Sequence, residues 1–337
     1  TTPTREYLKP PVTEVGVLGW PHGNLFNTWY NSVLTILFAV LLWKIVPPFI
    51  SWAFIDSVWN TPSEACRDIE GACWSIIPQN ISFIIFGFFP DGEQWRPGSA
   101  MLILLGLVFF SKNSNHWKKS LGVYWLIGLI VMGTLMYGGV FGMQVVETAQ
   151  WSGLPLTFML SFFGMVAAYP LGVLLALGRQ SKMPAIKTLC VVYIEMIRGV
   201  PLISLLFMSS ILFPLFLPEG VTIDKVLRAQ VAIIMFTAAY IAEVVRGGLQ
   251  AMSRGQFEAA DSLGLNYNQT MRLIILPQAL KIVIPPSLGI LLSAFKDTSL
   301  VVIIALYDVL KTTKVTLSNP KWTGYSTEAY IFLAVLY

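Results

Sequence analysis

The sequence predicts an all-α polytopic membrane protein with about eight transmembrane helices. Three observations carry that expectation. Of 337 residues, 55% are hydrophobic and only 12% are charged, whereas a soluble domain carries about 25% charge. Mean hydropathy is +0.67. Apolar runs recur near the roughly 20 residues that cross a bilayer as helix, and Lys and Arg gather in alternate loops between them.

The elements follow in order. Thr1 to Asn24 lacks an apolar h-region and holds Pro3, Pro10, Pro11 and Pro21, so it does not read as a signal peptide. The first span is expected at about Trp29 to Ile55, broken by Pro47-Pro48. The second is about Gly98 to Ser111, with Ile81 to Phe89 as a separate interfacial piece. The third is about Leu121 to Phe141, the fourth Leu154 to Leu177, the fifth Thr188 to Phe216, the sixth Ala229 to Val245 and the seventh Ile284 to Leu306. An eighth begins near Thr327 and reaches only Tyr337, as expected of a chain that is cut within it. Gly138 and Gly142 have the GxxxG spacing that permits close helix contact.

Orientation follows from the basic residues. One set of loops holds Lys112, Lys118, Lys119, Arg179, Lys182, Lys187, Arg246, Arg254, Arg272 and Lys281. The opposite set is poorer, with Arg67, Arg96, Lys225 and Arg228. The first set is therefore read as cytoplasmic, and the N-terminus with it. Asp308 to Ser326 disagrees, since it should be external yet carries Lys311, Lys314 and Lys321. Either part of it is an interfacial helix or the count is off by one there. The acidic loop Asp56 to Pro97 is external and holds Cys66 and Cys73, either bridged, since disulfides persist outside, or left as two free thiols. No Cys/His cluster points to a metal. The many Trp residues, Trp43 and Trp117 among them, read as interface anchors.

The connection between spans six and seven, 246–281, is longer than a bundle needs. Ser253 is placed to cap a short helix, in which Phe257, Ala260 and Leu263 make one apolar face. Gly264 stops it. Asn266 is placed to cap a second helix, which Pro277 closes. The small residues Ala259 and Ala260 are expected to be exposed, which suits a helix seated in a partner's groove or one lying on headgroups.

This segment resembles the EAA loop of ABC importer permeases, in which EAA is followed at set spacings by Gly, Ile and Leu-Pro. Glu258-Ala259-Ala260, Gly264, Ile274 and Leu276-Pro277 meet every spacing, with Asp261 between. Glu195-Met-Ile-Arg198-Gly199-Val-Pro201-Leu202, Glu243-Val-Val-Arg246-Gly247-Gly248 and Lys296-Asp297-Thr298-Ser299-Leu300 resemble elements of the polar amino-acid permeases. The stretches around Cys66 and Cys73 are similar to the long permease subunit of general L-amino acid importers. The resemblance implies a type I permease core over 151–337. Residues 1–150 are then an N-terminal extension with three additional helices and the external Cys-containing loop. It also implies partners: ABC ATPase subunits, a second related permease forming a heterodimer, and an extracytoplasmic (periplasmic) amino-acid-binding protein. ATP and Mg would be bound by the ATPase partner, with no cofactor in this chain. The location implied is the bacterial inner membrane.

Charged residues inside spans are costly and usually functional. Glu195 with Arg198, and Glu243 with Arg246, are three apart on one helix face. Each pair can neutralise itself, or partners can exchange across spans five and six; both are structural readings. The sharper reading puts some of them, with Lys296, Asp297, Thr298 and Ser299, along a translocation path. Lys44 reads as a snorkelling side chain. Gly199 and Pro201 are placed to loosen the helix locally. No phosphate loop GxxxxGK[ST] occurs in these residues, so no ATPase site is expected. With His22 and His116 alone, catalysis and metal binding are poorly supplied. Neither nucleic-acid binding nor a channel filter is indicated. A gradient-driven secondary amino-acid transporter is the remaining alternative, though no convincing repeat joins the two halves.

Overall fold

The structure, a computed structural model, describes residues 16–337. Of the N-terminal stretch Thr1 to Asn24, residues 1–15 lie outside the described residues, and so do the expectations that fall on them. The chain divides into compact units over residues 1–78 and 79–337.

In the first unit, α1 (Gly16–Asn24) precedes α2 (Trp29–Ile50). Thr28 caps α2 by accepting the Asn31 N–H. α2 is not broken at Pro47-Pro48. It runs through both and passes into π-type turns at Ser51–Ile55. Wider turns accommodate positions where proline supplies no N–H. No residue of α2 is buried, and its face is apolar all round, as a lipid-facing span requires. Beyond it the loop folds on itself. Cys66 and Cys73 form a disulfide with Cα atoms 5.7 Å apart. Trp74 donates to the Ala53 carbonyl at 2.7 Å and stacks on Trp59 at 5.6 Å.

The second unit contains most of α3 (Ile76–Phe86), then α4 (Trp95–Ser111) and α5 (Lys119–Tyr137). α5 stops four residues before the expected end. Gly138, Gly139 and Gly142 all have positive φ, so they form a turn and not a helix-contact seam; left-handed geometry is what glycine tolerates best. Arg96, read from sequence as an external-loop cation, is fully buried. Its Nε donates to the Leu135 carbonyl at 2.7 Å and its Nη1 to the Gln144 carbonyl at 3.0 Å, and Glu93 lies 3.4 Å away. A cation at the carboxyl end of α5 satisfies a carbonyl that the helix leaves open.

α6 (Gly153–Arg179) packs along α9 (Lys225–Gln250), which Asp224 caps. A Cβ at Gly164 would meet Ile233 at 2.8 Å and one at Gly172 would meet Ile241 at 2.6 Å, so both glycines allow close backbone approach. Between them come α7 (Pro184–Gly199) and α8 (Leu202–Phe207). The α7 axis and the 202–216 segment are bent by 104°. Pro201 holds Val200 in an extended conformation (φ −109°, ψ 132°), which ends the helix there.

After α10 (Arg254–Ser262) and α11 (Tyr267–Gln269), the chain is helical from Tyr267 to Ile304 and includes α12 (Leu276–Asp297). Pro277 therefore opens α12 where it was expected to close a helix, and the span begins well before Ile284. Pro277 stands in the first turn of α12, and the wider π-type turns at Thr270–Ile275 that lead into it accommodate its missing N–H. Tyr307-Asp308 then bridges Ser152-Gly153 in parallel. Asp308 caps α13 (Val309–Leu317) through the Lys311 N–H, and burial pushes its carboxyl above the ordinary range. A nine-residue helix thus occupies part of the 308–326 segment. α14 (Ser326–Leu336) ends the chain.

Among the described residues five helices are long and apolar enough to cross a bilayer, or six if the bent pair counts as one span. α4 and α14 are apolar but shorter. The eight predicted runs are all helical, with two below spanning length.

Candidate functional site

Three features bring the predicted residues together: an exposed corner, an ionic hub and a cavity. The corner is the 246–281 segment. α10 ends in a Schellman turn, in which Leu265 N–H donates to Ala260 O at 3.2 Å and Gly264 N–H to Asp261 O at 2.9 Å. Gly264 has φ +71° with open space around it. Asn266 and Gln269 form a reciprocal capping box on α11. Ser253 sits at the N-cap of α10 but its side chain makes no capping bond. Gln278 donates to Gln256 at 3.1 Å and ties α12 to α10.

Exposure within the corner differs from expectation at one residue. Glu258, Ala259 and Asp261 face outward, but Ala260 is fully buried. The supposed apolar face does not hold together either, since Leu263 is 75% exposed. The small Ala260 lets α10 pack against the turns leading into α12, and Phe257, Glu258, Ala259, Asp261 and Leu263 are left unpartnered on the outside.

The hub is the Glu243 carboxylate. Arg246 pairs with it closely, Arg179 lies 3.5 Å away and Arg198 3.7 Å away. Glu195 pairs with Arg179 at 2.8 Å, and no Glu195–Arg198 bridge forms. Partners are exchanged between helices, and α6, α7 and α9 each contribute a guanidinium. Sequence reading counted Arg179 among loop cations; it closes the last turn of α6, a place where cations commonly serve the helix end. Three guanidinium groups against two carboxylates leave one unit of positive charge. Arg198 also sits 5.6 Å over the Tyr240 ring.

Tyr240 leads to the cavity, of about 480 Å³, between α8, α9 and α12. Leu202, Phe236 and Ile290 supply apolar wall, and Thr237, Ser293 and Asp297 supply polar atoms. Asp297 is the member of the Lys296–Ser299 quartet that lines it. Lys296 is exposed elsewhere, Thr298 is buried and donates to the Phe295 carbonyl at 2.7 Å, and Ser299 is half-buried. Among the described residues no cluster of His, Cys, Asp and Glu suits a metal.

Residues 168–337, half of the chain, match the family described as the binding-protein-dependent transport system inner membrane component. The chain belongs to that family. The corner, the hub with Arg179, and the cavity all fall inside the matched segment, and Cys66 and Cys73 lie outside it. The chain is 46% identical over 322 residues to the inner membrane amino-acid ABC transporter permease protein YhdY of Escherichia coli K12, covering 94% of this chain and 87% of that one. It is 35% identical over 403 residues to the glutamate/glutamine/aspartate/asparagine transport system permease protein BztC of Rhodobacter capsulatus, covering 98% and 93%. A solved amino acid ABC transporter with histidines is 31% identical, with a TM-score of 0.49 over 55% of this chain and 84% of that one. As an inner membrane transport component, this chain is a multi-pass membrane subunit.

Proposed function

We propose that the chain is the transmembrane permease subunit of an ATP-driven ABC importer for L-amino acids, forming half of the translocation path and coupling to a separate ATPase subunit. The observation that supports this most is the exposed α10 corner, which carries the full Glu258–Pro277 motif on a turn fixed at both ends. A rigid short helix with an unpartnered outer face suits a groove in a second protein. ATP and Mg belong to that partner. An extracytoplasmic binding protein delivers the solute, and the N-terminus lies on the cytoplasmic side, as the basic loops favour. The substrate class is supported by the relatives named as amino-acid permeases.

The mechanism follows from continuity. A displacement of α10 reaches α12 through Gln256–Gln278 and the Ala260 contact. α12 belongs to a helical run of 38 residues that ends beyond Asp297, so the displacement moves one wall of the cavity directly. Asp297 offers a carboxylate to an ammonium, while Arg198, reached across Tyr240, offers a cation to a carboxylate. Ile284, Leu288 and Leu292 form an exposed apolar stripe at i, i+4, i+8 on α12, suited to the second, related permease of a heterodimer.

Purified with its companions and reconstituted, the complex should accumulate L-amino acids only when ATP is supplied on the α10 side. Uptake driven by an ion gradient without ATP would overturn the reading in favour of a secondary transporter. Within the same assay Asp297→Asn keeps side-chain volume and removes the charge. Loss of a charge-assisted contact is worth about 1.5–3 kcal/mol, so uptake at limiting substrate should fall roughly 10-fold to 100-fold. Unchanged uptake would remove Asp297 from the path.

A further inference from the structure

Beyond α5 the chain turns back on itself. Gly139 N–H donates to Met143 O at 3.1 Å, Met143 N–H to Val140 O at 3.0 Å and Val146 N–H to Tyr137 O at 2.8 Å. Phe141 (φ +51°) and Gly142 (φ +77°) hold the two central positions, the pattern of a type I′ turn. Gly, Asn and Asp are the residues that suit those positions. A bulky residue at positive φ is an outlier that calls for a reason. Packing inside the chain is not that reason, because the Phe141 side chain is 98% exposed.

The loop is nonetheless held firmly. Arg96, with 0% exposure, grips the Gln144 carbonyl and the end of α5 together. A Cβ at Gly138 would stand 2.1 Å from Gln144 O and 2.5 Å from Arg96 Nη2, so the strand positions are backbone-close. A buried cation and a left-handed aromatic thus present an apolar tip, flanked by exposed Val140 and Val145. The helix that leads into the loop, α5, carries exposed apolar residues of its own, Leu126 and Ile130 at 60% and 58%. α5 is long and apolar enough to cross a bilayer, so the loop at its end falls where the hydrocarbon core meets the headgroups.

We propose that the 138–146 loop is a bilayer anchor, with Phe141 inserted at the boundary of headgroups and acyl chains in the leaflet where α5 ends. Such an anchor fixes the depth and tilt of the α4–α5 pair, which interfacial residues otherwise set. It rests on α5 crossing the membrane and not on the importer reading, so either can fail alone.

The test is collision accessibility of a nitroxide. Phe141→Cys is made in a Cys190→Ser background and labelled in the full-length chain with its co-purifying subunits. The nanodiscs contain phosphatidylethanolamine and phosphatidylglycerol. Oxygen partitions into lipid, and a water-soluble nickel chelate does not. Leu126→Cys serves as the lipid reference and Glu219→Cys as the aqueous one. The oxygen-to-nickel ratio at 141 should be several-fold above that at 219 and approach that at 126. Labels at Val140→Cys and Val145→Cys, beside an unaltered Phe141, should read the same way and cover any relaxation of the turn. A ratio at all three positions equal to the aqueous reference overturns the proposal. So does shielding from both reagents that appears only with a soluble binding protein, which would make the tip a protein-docking knob.

Discussion

Glu258→Lys should abolish ATP-driven uptake and release the ATPase subunit while leaving the permease folded. Glu258 is exposed on α10 and makes no ion pair among the described residues, so reversing its charge should alter thermal stability by no more than about 0.5 kcal/mol. Its effect falls on the partner. Charge reversal at the centre of a docking surface typically costs 2 kcal/mol or more, about 30-fold in affinity, enough to remove most of the ATPase from a purified complex. Ala260→Glu makes the contrasting case. That position is fully buried, so an unpaired carboxylate there should distort the corner itself and lower the melting temperature. Glu258→Lys protein that retains ATPase on purification and transports normally would refute the docking assignment.

Glu243→Gln should weaken the bundle far more than Glu195→Gln. Glu243 is the carboxylate common to Arg179, Arg198 and Arg246. Removing its charge leaves three guanidinium groups facing one another across α6, α7 and α9. Breaking a fully buried pair costs about 3–5 kcal/mol. The Glu243 side chain is 25% exposed, so screening reduces the expected cost to roughly 1–3 kcal/mol. Glu195 has one ion-pair partner among the described residues and a side chain 53% exposed, and its loss should cost under about 1 kcal/mol. Thermal melts of the two variants in matched detergent measure the difference. Equal melting temperatures would show that the hub carries no special share, and partial recovery in Glu243→Gln/Arg246→Gln would support it.

Much of this was legible in the residues because the signals are periodic or chemically specific. Long apolar runs located the spans, and the motif spacing from Glu258 to Pro277 located the corner. The Gly264 stop and the Asn266 cap were readable because each rests on a local conformational preference. The misreadings share a cause: tertiary packing decided them. Ala260 is as small as Ala259, and only the turn back toward α12 determines which of them is covered. The prolines at 47–48 and 277 read as stops, but wider helical turns accommodate their missing N–H groups. Gly138 and Gly142 matched a helix-contact spacing inside what proves to be a loop. Arg96 and Arg179 looked like ordinary loop cations because their partners, Leu135, Gln144, Glu195 and Glu243, lie far away in sequence.

The close seating of α6 on α9 has a mechanical corollary. Where glycine at 164 and 172 meets isoleucine at 233 and 241, neither helix can slide without collision, so the two behave as a single stiff beam. α12 differs, since Pro285 and Pro286 lie inside it and withdraw two consecutive amide donors beside the cavity. Bending there sacrifices no backbone bond at those positions. Compliance is therefore concentrated on one side of the cavity, and any rocking of the bundle should be sought in that flank.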